Sequence, residues 1–140
     1  MGYRRQAREL ALQFLYGYEL NRREREEALA EFRGKARLPE AARRFAGELA
    51  AGVLDHLEEI DRLIDGHAQN WDLDRLARVD RQILRLAICE LYYRDDIPLL
   101  VTINEAVEIA KKFSTPQSGK FVNGILDRIR QELEEDGRKS

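Results

Sequence analysis

The sequence predicts an all-α fold, and three observations carry that reading. Apolar residues recur at intervals of three and four along nearly the whole chain, with almost no period-two alternation. Only three Pro and nine Gly interrupt the pattern. Of 140 residues, 44% are hydrophobic and 36% charged, which is the composition of a globular chain rather than a disordered one. Residues 1–140 are therefore read as a single helical domain.

In the opening segment Ala7, Leu10, Ala11, Phe14, Leu15 and Tyr18 keep the spacing of a buried helical stripe. Tyr16 falls outside that stripe, on the side of Arg5 and Glu9. The charged stretch from Asn21 to Pro39 predicts a short helix over Glu24 to Phe32, then a loop around Gly34. From Glu40 to Ile64 one apolar face is sustained, long for a single helix, with a bend expected near Gly52. Asn70-Trp71-Asp72 offers a helix cap, and Arg75 to Arg94 is apolar on most of its circumference, the pattern of a central helix. Glu90 lies within its apolar stripe and needs a cationic partner, for which Arg8 is the first choice.

Pro98 disfavours helix before it, and Thr102-Ile103-Asn104-Glu105 reads as a capping box, with Val101 and Ala106 as its hydrophobic staple. Ile103, Ala106, Val107, Ala110 and Phe113 are expected to face inward, and this helix ends near Ser114. Thr115-Pro116 then reads as N-cap and first residue of a last helix with Val122, Ile125, Leu126 and Ile129 in the core. The polar tail over residues 132–140 is expected to fray.

Several function classes are disfavoured. A single cysteine, Cys89, excludes an internal disulfide and a Cys-based zinc site. His56 and Glu59 could share a metal, but the Glu-x-x-His repeat of a di-metal bundle is missing, so neither a metal nor a cofactor is expected. No Gly-rich phosphate loop and no nucleophile elbow occurs, so an enzyme is not expected. There is no run of about 18 apolar residues to span a membrane and no continuous apolar signal segment, so the expected location is the reducing cytoplasm.

The informative feature is charge placement. Lys plus Arg total 24 and Asp plus Glu 26, a formal net charge of -2, so any nucleic-acid site must come from local segregation. From Ile109 to Leu126 there is no acid, while Lys111, Lys112 and Lys120 are present. The start of the last helix falls inside this window, where unpaired backbone N–H groups, with Gln117 and Ser118 as early-turn donors, favour an anion. Phe121 lies at the margin of its helix's apolar stripe, beside the space left by Gly124. At the other end of the chain Arg4, Arg5 and Arg8 form a second basic element, and Tyr16 shares the outer face with Arg5. Guanidinium groups for phosphates and outward rings for unstacked bases are what single-stranded RNA requires. The two elements act together only if folding brings them side by side.

Four blocks resemble the NusB family of bacterial transcription antitermination factors: RRQARELALQFLY from Arg4 to Tyr16, VDRQILRLA from Val79 to Ala87, INEAVEIAK from Ile103 to Lys111, and KFVNGILD from Lys120 to Asp127. The likeness covers nearly the whole chain and is weakest between Asn21 and Pro39. It implies about seven helices in two packed helical subdomains. It also implies a non-enzymatic function: pairing with NusE, a protein of the small ribosomal subunit, to bind single-stranded boxA RNA of nascent ribosomal RNA transcripts within the RNA polymerase antitermination complex.

By position, the resemblance places Arg4, Arg5, Arg8, Tyr16, Lys120, Phe121 and Asn123 at the RNA surface. It places Asp80, flanked by Arg75 and Arg78, at the NusE interface. Where the family commonly carries an acidic pair between the phenylalanine and the serine, this chain has Pro116 and Gln117. Two other readings stand beside this one: the helical RNA-binding domain of a ribosomal RNA methyltransferase, and a helical adaptor that binds only proteins. Self-association of the free protein as a homodimer, through either functional surface, is compatible with all three.

Overall fold

The computed structural model describes residues 3–35, 37–68 and 76–137. The described residues form seven helices: α1 (Tyr3–Leu20), α2 (Arg25–Lys35), α3 (Glu40–Asp55), α4 (Leu57–His67), α5 (Arg78–Tyr93), α6 (Leu99–Phe113) and α7 (Pro116–Glu135). α1, α2 and α3 pack as one group and α4 to α7 as another, and α5 packs against members of both. That position explains its sequence. Every residue from Gln82 to Leu91 is buried, so the helix has no wide solvent face on which to place polar residues.

α1 buries Ala7, Arg8, Ala11, Leu12 and Leu15. Leu10, Phe14 and Tyr18 lie at the edge of that stripe rather than at its centre, with the Phe14 ring 4.8 Å from Phe32 of α2 and 5.6 Å from Tyr18. α2 starts at the Glu24 carboxylate, which accepts from the N–H groups of Glu26 and Glu27 at 2.9 and 3.0 Å. Those two bonds hold the carboxyl below its usual range. Contrary to the expected loop, Gly34 lies inside α2.

The long face from Glu40 is two helices, not one bent near Gly52. The break falls at His56 (φ -119°, ψ 24°), whose ring lies flat on Tyr93 at 4.0 Å. Gly52 has a different task, since a Cβ there would sit 2.8 Å from the Cys89 sulfur. It lets α3 approach α5 closely.

The expected capping box at Thr102 is not formed. Pro98 is the N-cap in extended conformation and α6 begins at Leu99, anchored by Ile97 and Leu99, each 1% exposed. Thr102 is thereby inside the helix, and its hydroxyl donates to Glu90 at 3.0 Å. Val101 is exposed and forms no staple. At α7 the expectation and the structure agree: Thr115 caps the helix, its hydroxyl accepting from Ser118 N–H at 3.0 Å, and Pro116 follows. The helix continues past Glu132, where fraying was expected, to Glu135, because Leu133 is buried. The proposed Asn70-Trp71-Asp72 cap lies outside the described residues.

Candidate nucleic-acid interface

The opening arginines enter α1 in its first turn, where the helix dipole favours acids and none is present. The missing negative charge comes from other elements. Arg5 is held by Glu105 of α6 through two hydrogen bonds of 2.7 Å, and Arg4 lies 3.5 Å from Asp96. The hydrogen bonds from Arg5, with its charge and that of Arg8, hold the Glu105 carboxyl below its usual value, and the same pair raises Arg5. One helical turn on, Glu9 accepts from Lys112 at 3.1 Å. Arg4, Arg5, Glu9, Glu105 and Lys112 line an open groove of about 580 Å³ between α1 and α6.

α6 also carries this surface to α7. The stem of Lys111 lies against Gly119 in the first turns of α7, and its ammonium is 3.3 Å from Glu108. The opening arginines and the amino end of the last helix are therefore joined through the carboxy-terminal half of α6. Gln117, Lys120 and Asn123 are exposed on α7, and Lys120 has no acidic partner among the described residues. Phe121 is half-buried and packs against the core. Tyr16 is half-buried rather than outward, because Leu12, one turn before it, belongs to the core.

Three expected surface residues are internal. Arg8 is 4% exposed and forms a bidentate pair with Glu90 at 2.7 and 2.8 Å, so the partner expected for Glu90 is the one found. The same burial removes Arg8 from direct contact with a phosphate. Ser118 is 9% exposed and donates to Asp80 at 2.9 Å, while its oxygen lies 2.9 Å from that of Ser114 and 3.0 Å from that of Thr115. Asp80 is itself 7% exposed, and its second oxygen has no hydrogen-bond partner. Its carboxylate thus faces α7 instead of an outer surface, because the turn that caps α7 packs onto the first turn of α5. Arg78 is exposed at the start of α5, and Arg75 lies outside the described residues.

The sequence reading missed the acids that hold the basic face together, Glu9 and Glu105, since only the tertiary fold brings them opposite Lys112 and Arg5. It also missed Phe45, whose ring has Arg4, Arg8 and Arg94 at 4.8, 5.4 and 5.0 Å.

The arrangement is suited to holding anions. An exposed ion pair such as Lys111 with Glu108, both side chains about half exposed, contributes about 0–1 kcal/mol, so a phosphate can take over that cation at little cost. No group of three His, Cys, Asp or Glu that could hold a metal occurs among the described residues. The Cys89 thiol is pushed up to about 12 by burial and by the charge of Glu90, which leaves it without nucleophilic character at neutral pH. Among the described residues no helix is long and apolar enough to cross a membrane.

Similarity to characterised proteins agrees with these features. The chain is 51% identical to the transcription antitermination protein NusB of Myxococcus xanthus over 134 residues, covering 92% of this chain and 95% of that one. It is 49% identical to that of Geobacter sulfurreducens, covering 98% of this chain and 100% of that one. Among solved structures, T. maritima NusB superposes with a TM-score of 0.83 at 43% identity, covering 92% of this chain and 91% of that one. A chain from the crystal structure of antitermination factors NusB and NusE in complex with dsRNA gives 0.83 at 32% identity, covering 94% and 98%. With residues 5–131 matching the family as a whole, the chain belongs to the NusB family.

Proposed function

We propose that this protein acts as a transcription antitermination factor without catalysis, binding single-stranded boxA RNA of nascent ribosomal RNA transcripts together with NusE, in the cytoplasm and within an RNA polymerase antitermination complex. The observation that carries the RNA reading is the continuous surface running from Arg4 and Arg5 over Lys112 and Lys111 to the acid-free amino end of α7. Arg4, Arg5, Lys111, Lys112 and Lys120 are its phosphate ligands, and Gln117 and Asn123 supply amide groups for base edges. Tyr16 and Phe121, each half-buried, offer the exposed part of a ring face for stacking. Arg8 and Ser118 act from beneath, by fixing α1 and α7. For the partner face, Arg78 at the exposed start of α5 is the described residue that can reach a protein surface, and Asp80 acts behind it. The relatives matched over nearly their full length are named antitermination proteins, which favours this reading over the methyltransferase one.

The test is a titration of a boxA-like single strand, and of a duplex of the same sequence, with the protein alone and with NusE. About five phosphate contacts give a log–log salt slope near -3.5. Lys120→Ala should weaken binding and make that slope shallower by about 0.7. Phe121→Ala should cost about 1–3 kcal/mol if bases stack on it, with circular dichroism showing an unchanged helix content. A flat salt dependence, or no RNA binding with or without NusE, would favour the protein-only adaptor.

A further inference from the structure

The cations of the surface just described are mostly engaged by acids of the same chain, but a second set is engaged only in part, with Lys35 paired to Glu31 at 2.8 Å and Arg44 to Glu40 at 3.4 Å. Between Phe32 and Gly47 the sequence carries Arg33, Lys35, Arg37, Arg43 and Arg44 against one acid, Glu40. The fold places Arg33 of α2 across Gly47 of α3, where a Cβ would lie 2.5 Å from the arginine Nε. Arg33, Arg43 and Arg44 then line a groove of about 450 Å³ with Glu40 and Glu48.

The balance of charge in this groove is positive. Glu48 is taken by Arg94 at 2.6 Å from outside the cluster, and Glu40 meets Arg44 only at 3.4 Å, with both side chains exposed, a pair of small worth. Arg33 and Arg43 have no ion pair among the described residues, and the Arg43 Nε is buried without a hydrogen-bond partner. Unpaired guanidinium groups converging on a groove are suited to phosphate, which accepts their planar, bidentate donors.

This groove is continuous with the interface. Arg44 and Glu48 also line a second groove, of about 320 Å³, which contains Tyr3, Arg4 and Arg94. Arg4 in turn lines the α1–α6 groove. We propose that the α2–α3 groove is an extension of the RNA site, in which Arg33, Arg43 and Arg44 hold the backbone phosphates of the same single strand after it passes Arg4. The proposal rests on the RNA reading above and adds to it a longer path and one defined end.

The experiment compares a short boxA-like strand with the same strand lengthened at one end or at the other. Wild type should gain affinity from lengthening at one end only. Arg43→Gln with Arg44→Gln should remove most of that gain and make the long strand's salt slope shallower by about 1.4, the share of two phosphate contacts, while the short strand binds as before. Arg33→Gln with Arg44→Gln, which leaves the half-buried Arg43 in place, should do the same, and Glu40→Gln should increase the gain. No gain from lengthening at either end, or equal weakening of short and long strands in the variants, overturns the extension while the RNA reading stands. A wild type that binds neither strand overturns both.

Discussion

Arg8 of α1 and Glu90 of α5 form a buried, two-bond ion pair that ties the amino-terminal helices to the central one. Thr102 of α6 donates to the same carboxylate, so three helices meet at one charge. Removing Arg8 leaves the Glu90 charge buried without the cation that compensates it, with the Thr102 hydroxyl still donating to it. Arg8→Ala is expected to destabilise the fold by about 3–5 kcal/mol, measured by urea unfolding. Because Arg8 is enclosed, the molecules that remain folded should bind RNA with nearly wild-type affinity. A variant that stays stable but loses RNA binding would return Arg8 to the contact surface.

Ser118 and Asp80 make a smaller version of the same arrangement. Ser118 has one hydroxyl proton and gives it to Asp80, so its oxygen accepts from Ser114 or Thr115. Asp80 therefore sets the direction of the hydroxyl bonds at the start of α7. Ser118→Ala takes away the hydrogen bond that, among the described residues, serves a carboxylate whose other oxygen already lacks a partner, and should cost about 1–3 kcal/mol. Thr115→Ala, which removes the cap alone, should cost about 1 kcal/mol. Urea midpoints within error of wild type for Ser118→Ala would show that Asp80 is solvated after all.

The contrast between these two sites explains what could be read from the sequence. Glu90 sits in an apolar stripe, so burial and the demand for a cation follow from periodicity alone; the arginines of α1 supply the candidates, with little in the sequence to single out Arg8 among them. Asp80 lies at the start of its helix, where an exposed acid is ordinary, and nothing local shows that the turn after α6 will cover it. Thr102 illustrates competition between ranges. Its local pattern fits a capping box, but Pro98 starts the helix earlier and the buried Glu90 claims the hydroxyl. The charge segregation at α7 was visible because it is contiguous. Of the α2–α3 arginines, Arg33 falls in the stretch whose helical period is weakest, while Arg43 and Arg44 sit on a clearly periodic helix and meet Arg33 only through the packing of α2 on α3.

Glu105 makes a prediction about acid. Its carboxyl is held low in the folded protein by the two hydrogen bonds from Arg5, against an ordinary value of 4.5. A lowered carboxyl contributes stability above its unfolded value and loses it as pH falls through the folded one. Glu105→Gln should thus lower stability at neutral pH by about 0.5–1.5 kcal/mol, a range that allows for Arg5 being half exposed. As pH falls below the ordinary carboxylate value of 4.5 and on through the lowered folded one, the wild type should lose that advantage, and the two urea midpoints should converge. Curves that stay parallel would mean that the pair adds nothing to stability.

Gln117 separates affinity from stability. The first turn of α7 contains no acid, and Pro116 and Gln117 stand where the resemblance led to an acidic pair. Gln117→Asp places a negative charge beside free backbone N–H groups, which should stabilise the helix by about 0.3–1 kcal/mol. The same charge lies on the proposed RNA path, beside Lys120, and repulsion from phosphate should weaken binding by the isolated protein by about 0.5–1 kcal/mol, a few-fold in Kd. Addition of NusE should then matter more to the variant than to the wild type. Thermal unfolding and RNA titration are expected to move in opposite directions, a result that damage to the fold cannot produce. Unchanged RNA affinity with raised stability would show that the strand does not pass the amino end of α7.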